Sequence, residues 1–109
     1  FDNKKFVEDF KSINRENVSK EKISYNTLGI SIDSLFDLDL LKSPKLIKID
    51  VDGNEVKILK GCNKFLDNSE KTSILIETRS NTKKSVEEKL INHGYKKISS
   101  YKDNSIWEN

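Results

Sequence analysis

The sequence is poor in the residues that cross-link or interrupt a chain. Its 109 residues include one cysteine, one proline, four glycines and no methionine. A single Cys62 excludes an internal disulfide, and a reducing, cytoplasmic setting is expected. No apolar run approaches the roughly 20 residues of a membrane span, and no signal-peptide pattern is present. We therefore predict a cytoplasmic location and no membrane span.

An excess of charge of one sign is also lacking. The 20 basic and 18 acidic residues give a formal net charge of +2, and they alternate along the chain, as between Lys83 and Lys89. This pattern is typical of a solvated surface and argues against a nucleic-acid partner. Hydrophobic residues make up 34% and charged residues 35%, which still leaves periodic apolar runs. One compact domain with a modest core is expected.

The first part of the chain has few distinctive features. Residues 1–28 predict an amphipathic helix followed by a polar linker. The apolar positions of that helix recur at helical spacing: Phe6, Val7, Phe10 and Ile13. Gly29–Ile32 alternates briefly and predicts a strand, after which Asp33 is expected to cap a short helix that includes Leu40 and ends before Pro44.

A strand and a helix are predicted next. Leu46–Val51 is β-branched and mostly apolar, as a central strand covered on both faces should be. Asp52 and Glu55 follow with the spacing of a capping box. A single helix is expected after them, with one apolar face: Val56, Leu59, Cys62 and Leu66.

The pattern then repeats and ends in a hairpin. Ser73–Thr78 predicts a second buried strand, and a helix opening at Asn81 or Ser85 should end before Gly94. Two short strands should then meet at Asp103–Asn104. Two successive strand–helix units imply parallel strands with helical crossovers. The predicted fold class is therefore α/β, a partial Rossmann-like mixed sheet with an antiparallel C-terminal edge hairpin.

Acidic residues gather where the predicted strands end. In an open parallel sheet, ligands bind outside the carboxyl ends of the strands. Carboxylates there can bind a hard cation, hold substrate hydroxyls or act as a general base. For Glu55, helix capping and a functional role are equally good explanations. For Asp50, a carboxylate within an apolar strand costs folding free energy unless it reaches a polar site, which favours a functional role. The predicted catalytic residues are Asp50, Asp52 and Glu55, the predicted substrate-binding residues are Glu77 and Arg79, and no metal ligands are assigned.

Three other polar residues have structural explanations. Cys62 within a helical pattern is expected to be a buried small hydrophobe and not a nucleophile. His93 lies in the last turn of a predicted helix, where an imidazole complements the negative end of the helix dipole. An ion pair of Arg79 with Glu77 or Asp52 would explain the arginine as well as an anionic ligand would.

An ordered set of segments resembles the C-terminal half of FkbM-type methyltransferases. The segments are Ile32–Leu35, Leu46–Glu55, Ile58–Gly61 and Ile74–Glu77, followed by a helix that ends at Gly94 and Tyr95. Their order and spacing match over most of the span from Gly29 to Trp107. Residues 29–109 are therefore interpreted as the C-terminal half of a methyltransferase domain, and residues 1–28 are left unassigned.

The resemblance implies an S-adenosylmethionine-dependent methyltransferase that acts on hydroxyls of saccharides, glycolipids or secondary metabolites. In such a fold, the strand ending at Asp50 is the fourth, the one ending at Glu77 is the fifth, and the hairpin forms the last two. The glycine-rich cofactor loop of the family belongs to the first two strands, and the scattered glycines of this chain form no such loop. We therefore expect this chain, as the C-terminal part of a larger enzyme domain, to be inactive by itself.

Two alternatives remain open at this point. Asp50-Val51-Asp52-Gly53 also resembles the DxDG turn of haloacid-dehalogenase-type phosphatases, with Asp50 as nucleophile and Asp52 as acid. Asn54 replaces the usual Thr of that motif, however, and no late Asp pair for magnesium is present. The second alternative is a non-catalytic α/β interaction module that binds a partner through an exposed sheet edge, which a homodimer would also cover.

Overall fold

The computed structural model describes residues 23–109, which form a mixed α/β fold around one four-stranded sheet. The first elements are α1 (Ile32–Asp37), β1 (Leu46–Ile49), α2 (Glu55–Lys60) and α3 (Asn63–Asn68). The later elements are β2 (Ser73–Glu77), α4 (Lys83–Asn92), β3 (Lys96–Tyr101) and β4 (Asn104–Glu108). The helix predicted around Phe6 to Ile13 lies outside the described residues. Of the helices in residues 23–109, none is both long enough and apolar enough to cross a bilayer.

The sheet order is β1-β2-β4-β3. β1 is parallel to β2, and β4 is antiparallel to both of its neighbours, β2 and β3. The parallel pair and the C-terminal hairpin confirm the predicted mixed sheet, although the hairpin turn lies at Lys102 and Asp103, not at Asp103–Asn104. The prediction that an edge strand is the antiparallel one is wrong. β4 enters between β2 and β3, so the edge strand β3 runs parallel to β1 and β2.

One face of the sheet carries the core. Along β2, Ile74 and Ile76 are buried, and their cross-strand partners Trp107 and Ile49 are buried on the same side. The helices add residues to the same cluster: Leu59, Phe65, Leu66, Val86 and Leu90. Because burying each such side chain contributes roughly 1.5–3 kcal/mol before entropic costs, this single cluster is the main source of stability.

β1 is not the doubly covered central strand that its apolar sequence predicted. Leu46 is 60% exposed, and Lys48 on the same face is also exposed. Within residues 23–109, β1 has a strand neighbour on one side only. The strand also ends at Ile49, so Asp50 lies just beyond it and is exposed. The predicted cost of burying Asp50 therefore does not apply.

α1 begins where a strand was predicted. Ser31 is its N-cap, and the Ser31 Oγ accepts the Ser34 N–H at 3.1 Å. Gly29–Ile32 is therefore not a strand, because a serine that can cap competes successfully with a short alternating pattern. α1 ends at Asp37, so Leu40 lies outside it.

Asp33 caps a helix, but not its own. Its Oδ1 accepts the N–H of Phe65 in the first turn of α3 at 2.8 Å. Its own N–H donates to the carbonyl of Gly61 at 2.8 Å. Phe36 of α1 packs edge-on against Phe65, with ring centroids 5.7 Å apart. Asp33 and Phe36 thus tie α1 to α3.

The single helix predicted from Val56 to Leu66 is two helices, because Gly61 and Cys62 separate α2 from α3. A Cβ at Gly61 would lie 3.0 Å from the Ser31 Cβ. A side chain at residue 61 would therefore crowd the start of α1, which glycine avoids. The interruption provides the space in which the start of α1 sits.

The end of α4 is as predicted. Gly94 has a φ of 83°, its N–H donates to the Ile91 carbonyl at 2.9 Å, and the Tyr95 N–H donates to the Leu90 carbonyl at 3.0 Å. These two bonds define a Schellman motif. His93 is the C-cap, as predicted, and its Nδ1 also contacts the Asp67 carboxylate of α3.

Candidate functional site at the carboxyl edge of the sheet

The loops that follow β1 and β2 leave the sheet at the same edge, because the two strands are parallel and Ile49 lies opposite Ile76. We call residues 50–55 and 77–82, which begin there, the carboxyl edge. All five residues predicted from the sequence to form a site lie on it: Asp50, Asp52, Glu55, Glu77 and Arg79. Their side chains make three different sets of contacts, which are described in turn.

A tight turn shapes the first loop. Asp52 and Gly53 both have positive φ, at 52° and 97°, and the Asn54 N–H donates to the Val51 carbonyl at 3.3 Å. Two successive positive φ angles within such a bond are the signature of a type I′ turn, which Asp-Gly sequences favour. The Asn54 Nδ2 donates to the same carbonyl at 3.3 Å. The turn leaves the Asp52 side chain 87% exposed.

Glu55 is buried beneath this turn, with only 1% of its surface exposed. Its Oε1 accepts the Gly53 N–H at 2.9 Å, and its Oε2 accepts the Thr82 hydroxyl at 3.3 Å. Burial opposes ionisation, but hydrogen bonds from Gly53, its own amide and Thr82, with the charge of Arg79, outweigh it and lower the pKa of Glu55. Glu55 is therefore a buried carboxylate with both oxygens occupied.

The predicted capping box between Asp52 and Glu55 is not formed. The N-cap of α2 is Asn54, and it makes no side-chain capping bond. Asp52 instead pairs with Arg79, whose Nη2 lies 3.3 Å from its Oδ1. The spacing of Asp52 and Glu55 predicted a capping box, but Asp52 has a positive φ and an exposed side chain and is not the N-cap of α2.

Asp50 and Glu77 follow neighbouring parallel strands, and each carboxyl group shifts the pKa of the other. The interaction with Glu77, together with the Lys48 ammonium 3.4 Å from Asp50, lowers the pKa of Asp50. The interaction with Asp50 and its negative charge, followed by burial and by weaker effects of Asp103 and Asp52, raises the pKa of Glu77. Two carboxyl groups whose pKa values are driven apart can divide the roles of proton acceptor and ionised partner.

The pair of Arg79 and Asp52 is exposed to solvent, with side-chain exposures of 62% and 87%. Such a pair contributes roughly 0–1 kcal/mol to stability. Arg79 also lies over the turn, because a Cβ at Gly53 would be 3.8 Å from its Cδ. One nitrogen of the guanidinium contacts Asp52, and Arg side chains carry five N–H donors in total.

Thr82 is the residue that sequence reasoning missed. It is the N-cap of α4, so the predicted helix starts at Asn81 and Ser85 are wrong. It is 8% exposed, accepts the Arg79 N–H at 3.2 Å and donates to Glu55. The signal was a threonine directly before a helix, which is a preferred N-cap residue.

Comparison with known families identifies the chain. The family described as the methyltransferase FkbM domain matches residues 4–97, a span that includes the whole carboxyl edge. The chain belongs to the FkbM methyltransferase family. The FkbM resemblance is thus confirmed, and the phosphatase alternative gains no support. Comparisons with curated proteins and with solved structures found no match.

The glycines of this FkbM domain have local structural uses. Gly53 completes the turn after β1, Gly61 makes room for α1, and Gly94 ends α4. None of them joins a glycine-rich cofactor loop within residues 23–109. The carboxyl edge offers carboxylates, which suit hydroxyl-bearing or cationic groups.

Other reactive groups lie apart from the carboxyl edge. Cys62 is 2% exposed, and burial raises the pKa of its thiol to about 12, as expected of an inert buried cysteine. No group of three or more His, Cys, Asp or Glu side chains in residues 23–109 has the arrangement of a metal site.

Proposed function

We propose that the chain forms the acceptor side of an S-adenosylmethionine-dependent methyltransferase with a Rossmann-like sheet. The acceptor is a hydroxyl of a saccharide, a glycolipid or a secondary metabolite. The family match supports methyl transfer, and the observation that carries the site is the placement of the carboxyl groups of Asp50 and Glu77 together at the carboxyl ends of two parallel strands. Ligands bind at that end of such sheets.

Methylation of a hydroxyl requires a proton acceptor. When bound, S-adenosylmethionine would supply an electrophilic methyl group, and its carbon–sulfur bond would break with the electron pair left on a neutral thioether. The acceptor oxygen would gain the methyl group, and its proton would pass to the Glu77 carboxylate. The raised pKa of Glu77 makes it the stronger base of the pair, and the ionised Asp50 then accepts a hydrogen bond from the protonated Glu77.

The other predicted residues have supporting roles in this proposal. Arg79 and Asp52 offer donors and acceptors to further hydroxyls of the acceptor molecule, since both side chains are largely exposed. Glu55 has no free oxygen for a substrate, because Gly53 and Thr82 occupy both. We assign it the role of holding the turn that carries Asp52.

Two further proposals concern the setting of the protein. We propose a cytoplasmic location, which the single reduced cysteine supports. We also propose that the free side of β1 pairs with a strand of a second copy, because this edge of the described sheet presents unpaired backbone groups.

Calorimetric titration of S-adenosylmethionine tests the proposed function. The 109-residue chain and a longer gene product that contains it are titrated in parallel, with ATP as a control ligand that has adenosine but no sulfonium. Binding of S-adenosylmethionine by the longer product, followed by transfer of a labelled methyl group to a member of a saccharide panel, supports the proposal. Absence of binding by both proteins would overturn it.

A further inference from the structure

We infer that Thr82 is a positioning residue for the carboxyl edge, because its hydroxyl fastens the loop after β2 to the buried carboxylate of Glu55 and thereby keeps Arg79 on Asp52. The inference rests on the proposed role of this edge in methyl transfer. It assigns a function to a residue that makes no contact with the proposed proton acceptors.

The Thr82 hydroxyl has one hydrogen and two acceptors within reach. The Glu55 Oε2 and the Arg79 carbonyl are each 3.3 Å from its Oγ1. Because Glu55 is held ionised by its other hydrogen bonds, the charge-assisted bond to the carboxylate is the stronger one. The hydroxyl oxygen is then free to accept the Arg79 N–H, at 3.2 Å.

These bonds connect both loops of the carboxyl edge. Gly53 bonds to Glu55, Glu55 bonds to Thr82, and Thr82 bonds to the backbone of Arg79. Glu55 and Thr82 are 1% and 8% exposed, so water competes little for their hydrogen bond. The exposed pair of Arg79 and Asp52 is too weak to fix the loops by itself. The buried bond therefore fixes the backbone of Arg79, from which its side chain reaches Asp52.

The position of Arg79 matters for Glu77, which is two residues away in sequence. The charges that raise the pKa of Glu77 are those of Asp50, Asp103 and Asp52, and the Lys48 ammonium lies 3.4 Å from Asp50. A released Arg79 guanidinium would be able to approach Glu77 and stabilise its ionised form. Holding Arg79 on Asp52 thus preserves the basicity of Glu77.

Carboxyl ¹³C NMR titration of the full 109-residue chain, without cofactor or acceptor, tests the inference. Thr82→Val removes the hydroxyl, and Thr82→Ser retains it. Thr72→Val is the matched control, because Thr72 is 0% exposed and its hydroxyl donates to the Pro44 carbonyl at 2.8 Å, at the other end of β2. We expect Thr82→Val to lower the pKa of Glu77, and Thr82→Ser to restore it.

Thr72→Val should lower the melting temperature without changing the pKa of Glu77, which separates positioning from general destabilisation. If Thr82→Val does not fold, Thr82→Ala serves as the second variant. An unchanged pKa of Glu77 in a folded variant without the hydroxyl would overturn the inference. No cofactor is used in this titration, so a lowered pKa of Glu77 in Thr82→Val would support the role of Thr82 even if the protein showed no methyl transfer. If the protein transferred methyl groups but the pKa of Glu77 did not change in Thr82→Val, only the role of Thr82 would be refuted.

Discussion

The two ends of β2 use similar hydrogen-bonding groups for different purposes. At the amino end, the Thr72 hydroxyl donates to the Pro44 carbonyl at 2.8 Å, the Thr72 N–H donates to the Asn109 Oδ1 at 2.9 Å, and the Ser73 hydroxyl donates to Glu108 at 3.0 Å. At the carboxyl end, Glu77 instead lies beside another acid, Asp50, which raises its pKa.

The amino end of β2 therefore stabilises the fold, whereas the carboxyl end presents reactive groups. Donors and acceptors are matched at the amino end, which leaves little capacity for a ligand there. At the carboxyl end, the negative charge of Asp50 opposes ionisation of Glu77, which is an arrangement that destabilises the resting protein slightly and leaves acceptor capacity available. Functional sites are where a protein is expected to depart from the arrangements that favour stability.

The largest expected effect would come from removing the carboxyl of Glu77. In whichever product shows methyl transfer, Glu77→Gln should lower kcat by about 100-fold or more, since a general base contributes about 10²–10⁴-fold. Steady-state kinetics with labelled S-adenosylmethionine measure this. Glu108→Gln, the same exchange at the amino end, should leave kcat within about 2-fold. Equal losses in both variants would erase the functional difference between the two ends.

At the amino end, the loss should appear in stability. Thr72→Val leaves the Pro44 carbonyl without its buried donor, so we expect the free energy of unfolding to fall by about 1–3 kcal/mol. Urea unfolding measures it, with Thr72→Ser as the variant that keeps the hydroxyl. A change below about 0.5 kcal/mol would mean that the amino end is not the stabilising one.

Two glycines sharpen the comparison, because Gly53 serves the carboxyl end and Gly94 precedes β3 at the amino end. Both have positive φ, at 97° and 83°, and both have room for a Cβ. Alanine at either position should cost about 1–2 kcal/mol of stability through backbone strain. Only Gly53→Ala should also shift the NMR signals of Asp52 and Arg79. If Gly94→Ala also shifted the NMR signals of Asp52 and Arg79, the effect of each turn would not be local.

The smallest effect concerns acid stability. Because the folded-state pKa of Glu55 is lowered, its contribution to stability is present above the unfolded value, about 4.3, and is lost as the pH falls through the folded value. Glu55→Gln should therefore flatten the stability profile below about pH 4.3. Urea unfolding at several pH values measures the slope. Glu70→Gln, at an exposed position, is the control and should retain the wild-type slope. A Glu55→Gln stability profile parallel to that of the wild type would refute the stabilising role of ionised Glu55.

Local patterns predicted the elements that local forces determine. The two strand–helix units, the hairpin and the Gly94 cap all follow from short-range periodicity and turn chemistry. The same holds for the position of the acidic residues, since the carboxyl ends of parallel strands meet at one edge. These elements needed no knowledge of distant contacts.

The errors arose where distant residues decide the local structure. Asp33 caps a helix through Phe65, 32 residues later in the chain, and Gly61, between two helices, lies against Ser31 at the start of α1. No window of sequence contains both partners of either contact. Thr82 had a local signal as a threonine directly before a helix, but its contact with Glu55, 27 residues earlier, could not be predicted from that signal.

The insertion of β4 between β2 and β3 has a consequence for synthesis on the ribosome. β2 and β3 emerge from the exit tunnel before β4, yet β4 is the strand that joins them. Until Glu108 has emerged, the two strands present unsatisfied edges, and the apolar face of β2 lacks Trp107. Because a domain folds as a unit once its residues are available, this sheet is completed only after β4, the last of its described strands in sequence, has been synthesised.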